Sequence, residues 1–333
     1  MAQGPNVYTD ALTTALGDGI VQIRLPMAGN PMRHINGYLV REDDGFTLID
    51  CGWKTDDVLE ALHAGLAEHG ETLAAVKRIV VTHMHFDHYG LAGTLLRAGV
   101  PDLLLHSKDW DFASRILSDP LEADRLSDIW LGRNGFEVSP SEEEADHHRL
   151  NELTEPTRIL NDGERVGRLL VVWTPGHTPG HICLVDTQSG KMFTGDHVLD
   201  PVTPHVGFWA EHRGDPLGDY IASLENVGRI GASGVLPAHG EPFPDLQRRV
   251  DQLLEHEATR ENQIVEALGV GPSSAADIAG RLPWTRRNKS FADLGEFHQQ
   301  FAVAETIAHL EHLRHEARVT REDASGYRYV LTG

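Results

Sequence analysis

The sequence predicts an α/β fold followed by a smaller, mostly helical domain. Three observations lead to this prediction. Apolar runs of strand length alternate with segments of helical periodicity. Several apolar runs end in loops that combine glycine or proline with histidine or aspartate. The chain has 333 residues, more than one typical domain, so we assign residues 1–245 to the main domain and 246–333 to the second.

The first predicted elements are two strand segments and a helix. Residues 20–25 and 38–49 have the pattern of strands, and an Asp-Asp-Gly turn at 43–45 divides the second segment into a hairpin. An amphipathic helix follows, because apolar residues then recur at helical spacing. These are Val58, Leu59, Leu62 and Leu66.

The segment 82–88 holds the densest group of side chains that can bind a metal. It follows an apolar run and contains His83, His85, Asp87 and His88. Buried polar groups at a strand end need partners, and a divalent cation is the most favourable partner for imidazoles and a carboxylate. His83 and His85 lie two apart on an extended backbone and can face one metal. Asp87 and His88 lie where a helix begins and can face a second.

Three later loops carry the further ligands that such a site needs. Each loop contains glycine or proline and follows an apolar, strand-like run. Separate strands can bring side chains to one site when a rigid scaffold aligns their ends. The three loops contribute His177, Asp196 and His239, which follow the runs 169–173, 192–194 and 234–238.

The order of the motifs is H-x-H-x-D-H, T-P-G-H-T-P-G-H, G-D and H-G. It resembles the metallo-β-lactamase-fold hydrolase superfamily, and its glyoxalase II-like members most. The resemblance implies an αββα sandwich, in which two mixed sheets lie face to face with helices outside. It also implies two divalent metal ions; zinc suits the ligands best, and iron or manganese would also accept them. The implied ligands are His83, His85 and His177 for the first metal, Asp87, His88 and His239 for the second, and Asp196 as the bridge.

Other residues are assigned to the surroundings of the metals. Asp50 matches a further motif of the superfamily, where the aspartate supports the metal site from behind. His181 follows a ligand loop, and we expect it to orient that loop by a hydrogen bond. Asp87 and Asp196 are the candidate catalytic carboxylates. The candidate substrate-pocket residues are Tyr89, His197, His205, Phe208 and Trp209; for the two histidines among them, a structural role in the loops is the alternative.

A long insertion separates the first two ligand motifs. It covers about residues 105–163 and includes a helical run at 110–126 and an acidic segment at 141–146. Long ordered insertions in compact domains tend to be functional, so we expect a lid over the metals, with a surface excursion as the alternative. Its aromatic residues are candidate walls of the pocket: Trp110, Phe112, Trp130 and Phe136.

The C-terminal region resembles a winged-helix module. Residues 246–268 have a long helical pattern, two shorter helices follow, and 318–331 has the pattern of a hairpin. In this superfamily a similar module accompanies the lactamase-β-like endoribonuclease group. A helix that enters a nucleic-acid groove normally carries Lys or Arg, and the helix at this position has no basic stripe. Only the segment 286–289 is locally basic. We therefore expect a structural, dimerising or pocket-forming module.

Composition and charge limit the classes of binding partner that the protein is expected to have. The net charge of −21 disfavours phosphate backbones and anionic lipid surfaces. No apolar stretch is long enough to span a bilayer, and residues 1–6 lack the pattern of a signal peptide. Cys51 and Cys183 lie in apolar strand patterns and do not make a disulfide framework. We expect a cytoplasmic protein that acts on a small molecule and has no nucleic-acid or membrane partner. These features are also compatible with a homodimer.

The expected activity is hydrolysis by a hydroxide that two metal ions share. The target is a carbonyl ester-type bond, either an acyl thioester or a lactone. The segment 196–209 contains no lysine, which departs from glyoxalase II-type enzymes that bind glutathione. The alternatives are a metal-dependent endoribonuclease acting on single-stranded RNA and a metal-dependent binding protein without turnover. Oxygen or nitric oxide reduction is disfavoured, because the carboxylate replacement and the flavin domain of that branch are absent.

Overall fold

Two mixed β-sheets lie face to face at the centre of the molecule, with helices on both outer faces. This is the predicted αββα sandwich. The computed structural model describes residues 11–139, 153–210, 212–284, 289–323 and 325–332. Three sequence features lie outside the described residues, namely the N-terminal segment 1–6, the acidic segment 141–146 and the arginines of the basic segment at 286 and 287.

The first sheet has seven strands in chain order. Its first half is antiparallel and its second half, from β4 to β7, is parallel. Parallel neighbours need crossover connections, and the strand–helix alternation in the sequence supplies them. The strands are β1 (Thr13–Ala15), β2 (Ile20–Pro26), β3 (His34–Glu42), β4 (Gly45–Ile49), β5 (Val76–Val80), β6 (Asp102–His106) and β7 (Arg158–Leu160).

The second sheet has five strands, and β8 to β11 form an antiparallel meander. The last strand, β12, is parallel to β11 at the opposite edge. The strands are β8 (Arg165–Val166), β9 (Leu169–Trp173), β10 (Ile182–Asp186), β11 (Lys191–Gly195) and β12 (Gly234–Pro237).

Nine helices surround the sheets in the described part of the chain. The side chains of Asp119, Asp215 and Asp245 cap three of them by accepting hydrogen bonds from the first turn, and proline occupies the first turn in two of these. The helices are α1 (Asp56–Glu68), α2 (Phe86–Tyr89), α3 (Ala92–Arg97), α4 (Ser107–Ser118), α5 (Pro120–Arg133), α6 (Pro216–Ile230), α7 (Leu246–Leu268), α8 (Ala275–Ala279) and α9 (Glu296–His315).

The space between the two sheets is filled by one hydrophobic cluster. Val40, Ile49 and Val80 of the first sheet lie in it together with residues of the second sheet such as Leu184. The ring of Phe193 on β11 meets the ring of Tyr38 on β3 edge to face, with centroids 5.2 Å apart. This contact joins the two sheets close to the ends of the strands that carry the candidate ligands.

The outer faces of the sheets are covered by separate hydrophobic clusters. Residues of α1, α3 and α4 cover the first sheet. The cluster on the second sheet contains Val172 and Met192 from the sheet and also residues of α6, α7, α8 and α9. The predicted domain boundary at residue 245 thus falls immediately before α7, and residues from both sides of it share one hydrophobic cluster.

The C-terminal region consists of α7, α8, α9 and a two-stranded hairpin, β13 (Val319–Asp323) and β14 (Tyr327–Leu331). Most of the middle of α9 is buried, from Ala302 to Leu313. The likeness of this region to a winged helix stays a prediction. None of the helices in the described ranges is long and apolar enough to cross a membrane.

The described part of the insertion packs closely against the rest of the molecule. Phe112 of α4 lies in the cluster on the first sheet, and Trp110 packs against that cluster. Phe136 lies in the cluster on the second sheet, and Trp130 packs against it. These aromatic residues therefore stabilise the outer layers, and a role of the insertion as a lid stays a prediction.

The inter-sheet cluster gives a stability prediction. Replacing the buried Phe193 by alanine (Phe193→Ala) removes the contact with Tyr38 and leaves a cavity, so we expect the free energy of unfolding to fall by about 3–5 kcal/mol. Leu121→Ala is the control, because Leu121 is 79% exposed, and it should change the free energy of unfolding by less than about 0.5 kcal/mol. Chemical denaturation of both variants makes the comparison. An equal loss of stability in both variants would contradict the packing of Phe193 between the two sheets.

Candidate metal centre

Strand ends from both sheets deliver the predicted ligands to one place. The loop after β5 carries His83 and His85, and the short helix α2 begins directly afterwards. The ends of β9, β11 and β12 in the second sheet lead to the other ligand loops. The candidate ligands form three overlapping groups, which are His83–His85–His177, His83–His88–Asp196 and Asp87–His88–His239.

The first group consists of three imidazoles whose nitrogens face one another. His83 Nε2 is 2.9 Å from His85 Nδ1, and His177 Nε2 is 3.2 Å and 3.0 Å from these two atoms. Tetrahedral zinc with Zn–N bonds of about 2.0–2.1 Å requires ligand nitrogens roughly 3.3 Å apart, so the group is slightly tighter than a zinc site and fits one ion.

Burial keeps the three rings of the first group neutral. It lowers the pKa of His83 well below its usual value and that of His85 to about 3, and neighbouring imidazoles add to both effects. It also lowers the pKa of His177, although Asp196 opposes this. Neutral imidazoles are the form that binds metal.

The second group places two imidazoles against a carboxylate. His239 Nε2 is 3.2 Å from Asp87 Oδ2, and His88 Nε2 is 3.7 Å from the same oxygen. Burial acts against ionisation of Asp87, but the charge of His88 and a hydrogen bond from His239 hold the pKa of Asp87 at about 2. Burial likewise opposes a charge on the two histidines, but nearby carboxylates raise both pKa values: Asp50 has the largest such effect on His88, and Asp196 on His239.

Asp196 lies between the two groups. Its Oδ2 atom is 3.6 Å from His88 Nε2 and 3.7 Å from His177 Nε2, and its Oδ1 atom is 3.6 Å from His239 Nε2. His88 Nε2 and Asp196 Oδ1 are buried and have no hydrogen-bond partner. Buried polar atoms without partners are costly, and a cation between them would remove that cost. The donor set therefore fits divalent metal.

The far sides of three of the ligand rings are held by hydrogen bonds. His88 Nδ1 donates to Asp50 Oδ2 at 2.8 Å, and His177 Nδ1 donates to the backbone oxygen of His205 at 2.7 Å. His239 Nδ1 donates to the backbone oxygen of His34 at 3.4 Å. The bond to the His205 oxygen places the proton of the neutral His177 ring on Nδ1 and leaves its Nε2 lone pair directed at the centre. His88 and His239 also direct Nε2 at the centre, where a bound metal would replace the Nε2 proton.

Asp50 lies behind the candidate ligands and holds the ligand segment by hydrogen bonds. Besides the bond from His88, its carboxylate accepts hydrogen bonds from the backbone N and the hydroxyl of Thr82, at 2.8 and 2.9 Å. Asp50 has a φ of 55°, which is uncommon for a residue other than glycine. The carboxylate thus fixes the start of the ligand segment 82–88 and one of its imidazoles.

His181 supports the backbone at Asp196. Its Nε2 atom accepts a hydrogen bond from the backbone N of Asp196 at 3.1 Å, and its Nδ1 atom is 2.8 Å from the hydroxyl of Thr174. Burial lowers the pKa of His181 far below its usual value, so the ring is neutral and can accept. At Gly195, with φ of 49°, an added Cβ would lie 2.6 Å from His181 Nε2, so the close approach requires glycine.

Asp109 joins two ligand loops, and sequence reasoning missed it. Its carboxylate accepts hydrogen bonds from the backbone N of Met84 at 2.9 Å, the hydroxyl of Thr178 at 2.9 Å and the backbone N of Gly180 at 2.5 Å. Burial raises the pKa of Asp109 to about 6, although these three bonds act in the opposite direction. In the sequence Asp109 looks like an ordinary acidic residue in the first turn of a helix, so no signal distinguished it.

The predicted pocket residues divide into two sets. Tyr89 and His197 are buried: the Tyr89 hydroxyl donates to the backbone oxygen of Thr154, and the His197 ring packs between His181 and Tyr220. These two side chains therefore have structural positions and are not placed to contact a substrate. The other three lie on the loop between β11 and α6, where Phe208 stacks on Trp130 and the half-buried His205 and Trp209 flank Phe301 of α9.

Comparison with known proteins agrees with this geometry. A family model described as the metallo-beta-lactamase superfamily matches residues 31–239. A solved metallo-beta-lactamase family protein from Thermus thermophilus is 31% identical, with a TM-score of 0.80 over 96% of this chain and 100% of that one. A beta-lactamase domain protein from Burkholderia ambifaria is 25% identical, with a TM-score of 0.82 over 96% of this chain and 94% of that one.

Two curated relatives have more specific names. The "probable metallo-hydrolase YqjP" of Bacillus subtilis is 26% identical over 307 residues, which cover 85% of this chain and 88% of that protein. The "atrochrysone carboxyl ACP thioesterase dmxR1" of Cryptosporiopsis sp. is 26% identical over 249 residues, which cover 74% of this chain and 61% of that protein.

The position of Asp109 gives a prediction. Loss of its buried carboxylate should weaken the ligand loops, whereas loss of an exposed carboxylate on the same helix should not. Asp109→Ala leaves two backbone N–H groups and a hydroxyl without their acceptor, so we expect the free energy of unfolding to fall by about 2–4 kcal/mol and the bound metal to decrease. Asp111→Ala on the same helix removes an exposed carboxylate and should change neither. Denaturant unfolding and elemental analysis measure the two quantities. Full metal content in Asp109→Ala would contradict the proposed support.

Proposed function

The chain belongs to the metallo-beta-lactamase superfamily, and from this premise we propose that it is a hydrolase that uses two divalent metal ions to cleave a carbonyl ester-type bond. The substrate is a small molecule that contains an acyl thioester or a lactone. The observation that carries the proposal is the position of Asp196, whose carboxylate lies 3.6–3.7 Å from ligand nitrogens of both groups. One carboxylate in that position can serve two ions.

The reaction follows from the residues around the centre. When bound, two divalent ions supply Lewis acidity that lowers the pKa of water and polarises a carbonyl oxygen. The side chains of Asp87 and Asp196 are 20% and 13% exposed, whereas those of His83 and His88 are fully buried. Water and substrate therefore reach the centre beside the carboxylates. Asp87 Oδ2 is placed to accept a hydrogen bond from the attacking water and to orient it.

The two cysteines do not offer a competing nucleophile. Cys51 and Cys183 are both buried in hydrophobic clusters. Burial raises the pKa of the Cys51 thiol far above its usual value and that of Cys183 to about 12. Neither thiol is ionised near neutral pH, and the thiolate is the nucleophilic form. This supports attack by water over a covalent thiol mechanism.

The surroundings of the centre favour an uncharged acyl group. The loop from Asp196 to Trp209 contains no lysine or arginine, and its half-buried His205 and Trp209 lie beside Phe301. Aromatic walls suit an apolar acyl or lactone ring better than a phosphate. The relative from Cryptosporiopsis sp. with thioesterase in its name supports the same choice. Zinc as the metal and a cytoplasmic location stay predictions.

A nucleic-acid substrate finds less support. The helix that a winged-helix reader would insert into a groove corresponds to α9, and residues 302–304, 306–311 and 313 of α9 are buried. A helix packed on most of its surface cannot enter a groove, and the net charge of −21 opposes phosphate binding. We therefore retain the small-molecule proposal without a second candidate.

Metal content is the first test. We expect the purified protein to bind two equivalents of divalent metal and to lose thermal stability when a chelator removes them, because a ligand at 100 times its Kd stabilises by about 2.7 kcal/mol. Elemental analysis and thermal unfolding, with and without the chelator, measure both effects. A protein that binds one equivalent, or none, would contradict the two-metal proposal.

Activity is the second test. Against a panel of acyl thioesters, lactones and simple esters, we expect metal-dependent hydrolysis that His83→Ala reduces by about 100-fold or more, since it removes a ligand. His63→Ala is the matched control, because His63 is exposed on α1 and should leave the rate unchanged. Cleavage of single-stranded RNA would support the endoribonuclease alternative. Inertness of the metal-loaded protein on every substrate would support a binding protein.

A further inference from the structure

The ligand His177 is oriented by a backbone carbonyl and not by a side chain. Its Nδ1 atom donates to the oxygen of His205 at 2.7 Å, and its Nε2 atom lies 3.0–3.2 Å from the ligand nitrogens of His85 and His83. A carbonyl can only accept, so the proton is on Nδ1 and the Nε2 lone pair is free for metal. The position of the His205 carbonyl therefore sets the position of a ligand atom.

The His205 carbonyl lies on the irregular loop between β11 and α6, and this loop is bonded to the C-terminal helix α9. His205 Nε2 donates to the backbone oxygen of Phe301 at 3.0 Å, and the backbone N of Phe208 donates to the backbone oxygen of Ala304 at 3.0 Å. The two acceptors lie one turn apart on the helix, so they hold the loop at two points. An irregular loop without such bonds would leave its carbonyls free to reorient.

Packing at this junction is close. The ring of His205 lies 4.6 Å from the ring of Phe301, and the ring of Trp209 lies 5.6 Å from the same phenylalanine. At Gly207 an added Cβ would lie 2.6 Å from His205 Cε1 and 3.3 Å from Ala304 Cβ, so the loop backbone runs directly against α9. The buried middle of α9 anchors the helix in the cluster on the second sheet.

We propose that His205 is a positioning residue that couples the C-terminal helix α9 to the metal ligand His177. The path runs from the Phe301 carbonyl to the His205 imidazole, then from the His205 carbonyl to the His177 imidazole. Groups that hydrogen-bond a metal-binding histidine typically change metal affinity by 10–100-fold when altered. The C-terminal region thus contributes to the metal centre without contributing a ligand. This inference rests on the metal centre of the proposed function.

A pair of amide variants separates this role from simple packing. In His205→Gln the side-chain amide nitrogen lies at about the position of the imidazole Nε2 and can still donate to the Phe301 oxygen. In His205→Asn the amide nitrogen corresponds to Nδ1 and is too short to reach it. The two side chains have the same chemistry and differ in reach. His312→Gln is the matched control, because His312 also joins α9 to the main domain, through Nδ1 and Asp215 at 2.7 Å, but contacts none of the candidate ligands. The glutamine amide nitrogen corresponds to Nε2, so this variant loses the bond to Asp215.

The measurement is titration of the metal-free full-length proteins with cobalt(II), followed by visible absorption and calorimetry. We expect His205→Asn to bind one of the two ions about 10–100-fold more weakly and with altered absorption, while the other ion binds as in the wild type. His205→Gln and His312→Gln should both stay within about threefold of the wild type.

Three results would overturn the inference. These are wild-type cobalt binding by His205→Asn, equal weakening in His205→Gln, and equal weakening in His312→Gln, which would indicate general loosening at α9. Failure of the proposed function is distinguishable, because it would appear as a wild-type protein that takes up no cobalt or a single equivalent. Thermal unfolding of the metal-free variants verifies that each protein is folded. The comparison of His205→Asn with His205→Gln still tests the inference if both variants are somewhat less stable than the wild type.

Discussion

The ligand nitrogens of His83, His85 and His177 lie within 3.2 Å of one another while burial keeps all three rings neutral. Where the protons are held on the far sides of the rings, lone pairs face lone pairs, and such an arrangement repels itself until a cation occupies it. The protein must therefore hold these groups together against their own repulsion. This constraint explains why each ligand loop has buried hydrogen-bonding support of its own.

The supports come from all layers of the fold. Asp50 at the end of β4 holds the segment that follows β5, and Asp109 of α4 joins that segment to the loop after β9. On the far side, Asn36 and Tyr38 of β3 donate to the backbone oxygen of Pro237, which precedes the His239 loop. These bonds link the two sheets at the same edge. The face-to-face packing of the sheets is thus also what fixes the distances between ligands from different strands.

The ligands could be predicted from the sequence because each lies in a short motif directly after an apolar strand. Asp50 was placed behind the candidate ligands by its match to a superfamily motif, and His181 by its position after a ligand loop. Asp109 could not be predicted, since its role depends on three donors from distant loops that meet it only in the folded chain. Tyr89 and His197 were predicted to line the substrate pocket because they are next to ligands in the sequence, but both have structural positions. Each directly follows a candidate ligand, but its buried side chain contacts Thr154 in one case and His181 and Tyr220 in the other.

The C-terminal region shows the limit of sequence pattern most clearly. Its helices and hairpin were predicted, but their contact with the loop beside the centre was not. That contact is made by the His205 side chain and by backbone atoms of the loop and of α9. The direction of a backbone carbonyl in an irregular loop cannot be predicted from the sequence pattern. The candidate ligands in their motifs indicate only a reaction class. The loop between β11 and α6 and the helix that holds it reach the centre through atoms that no motif marks.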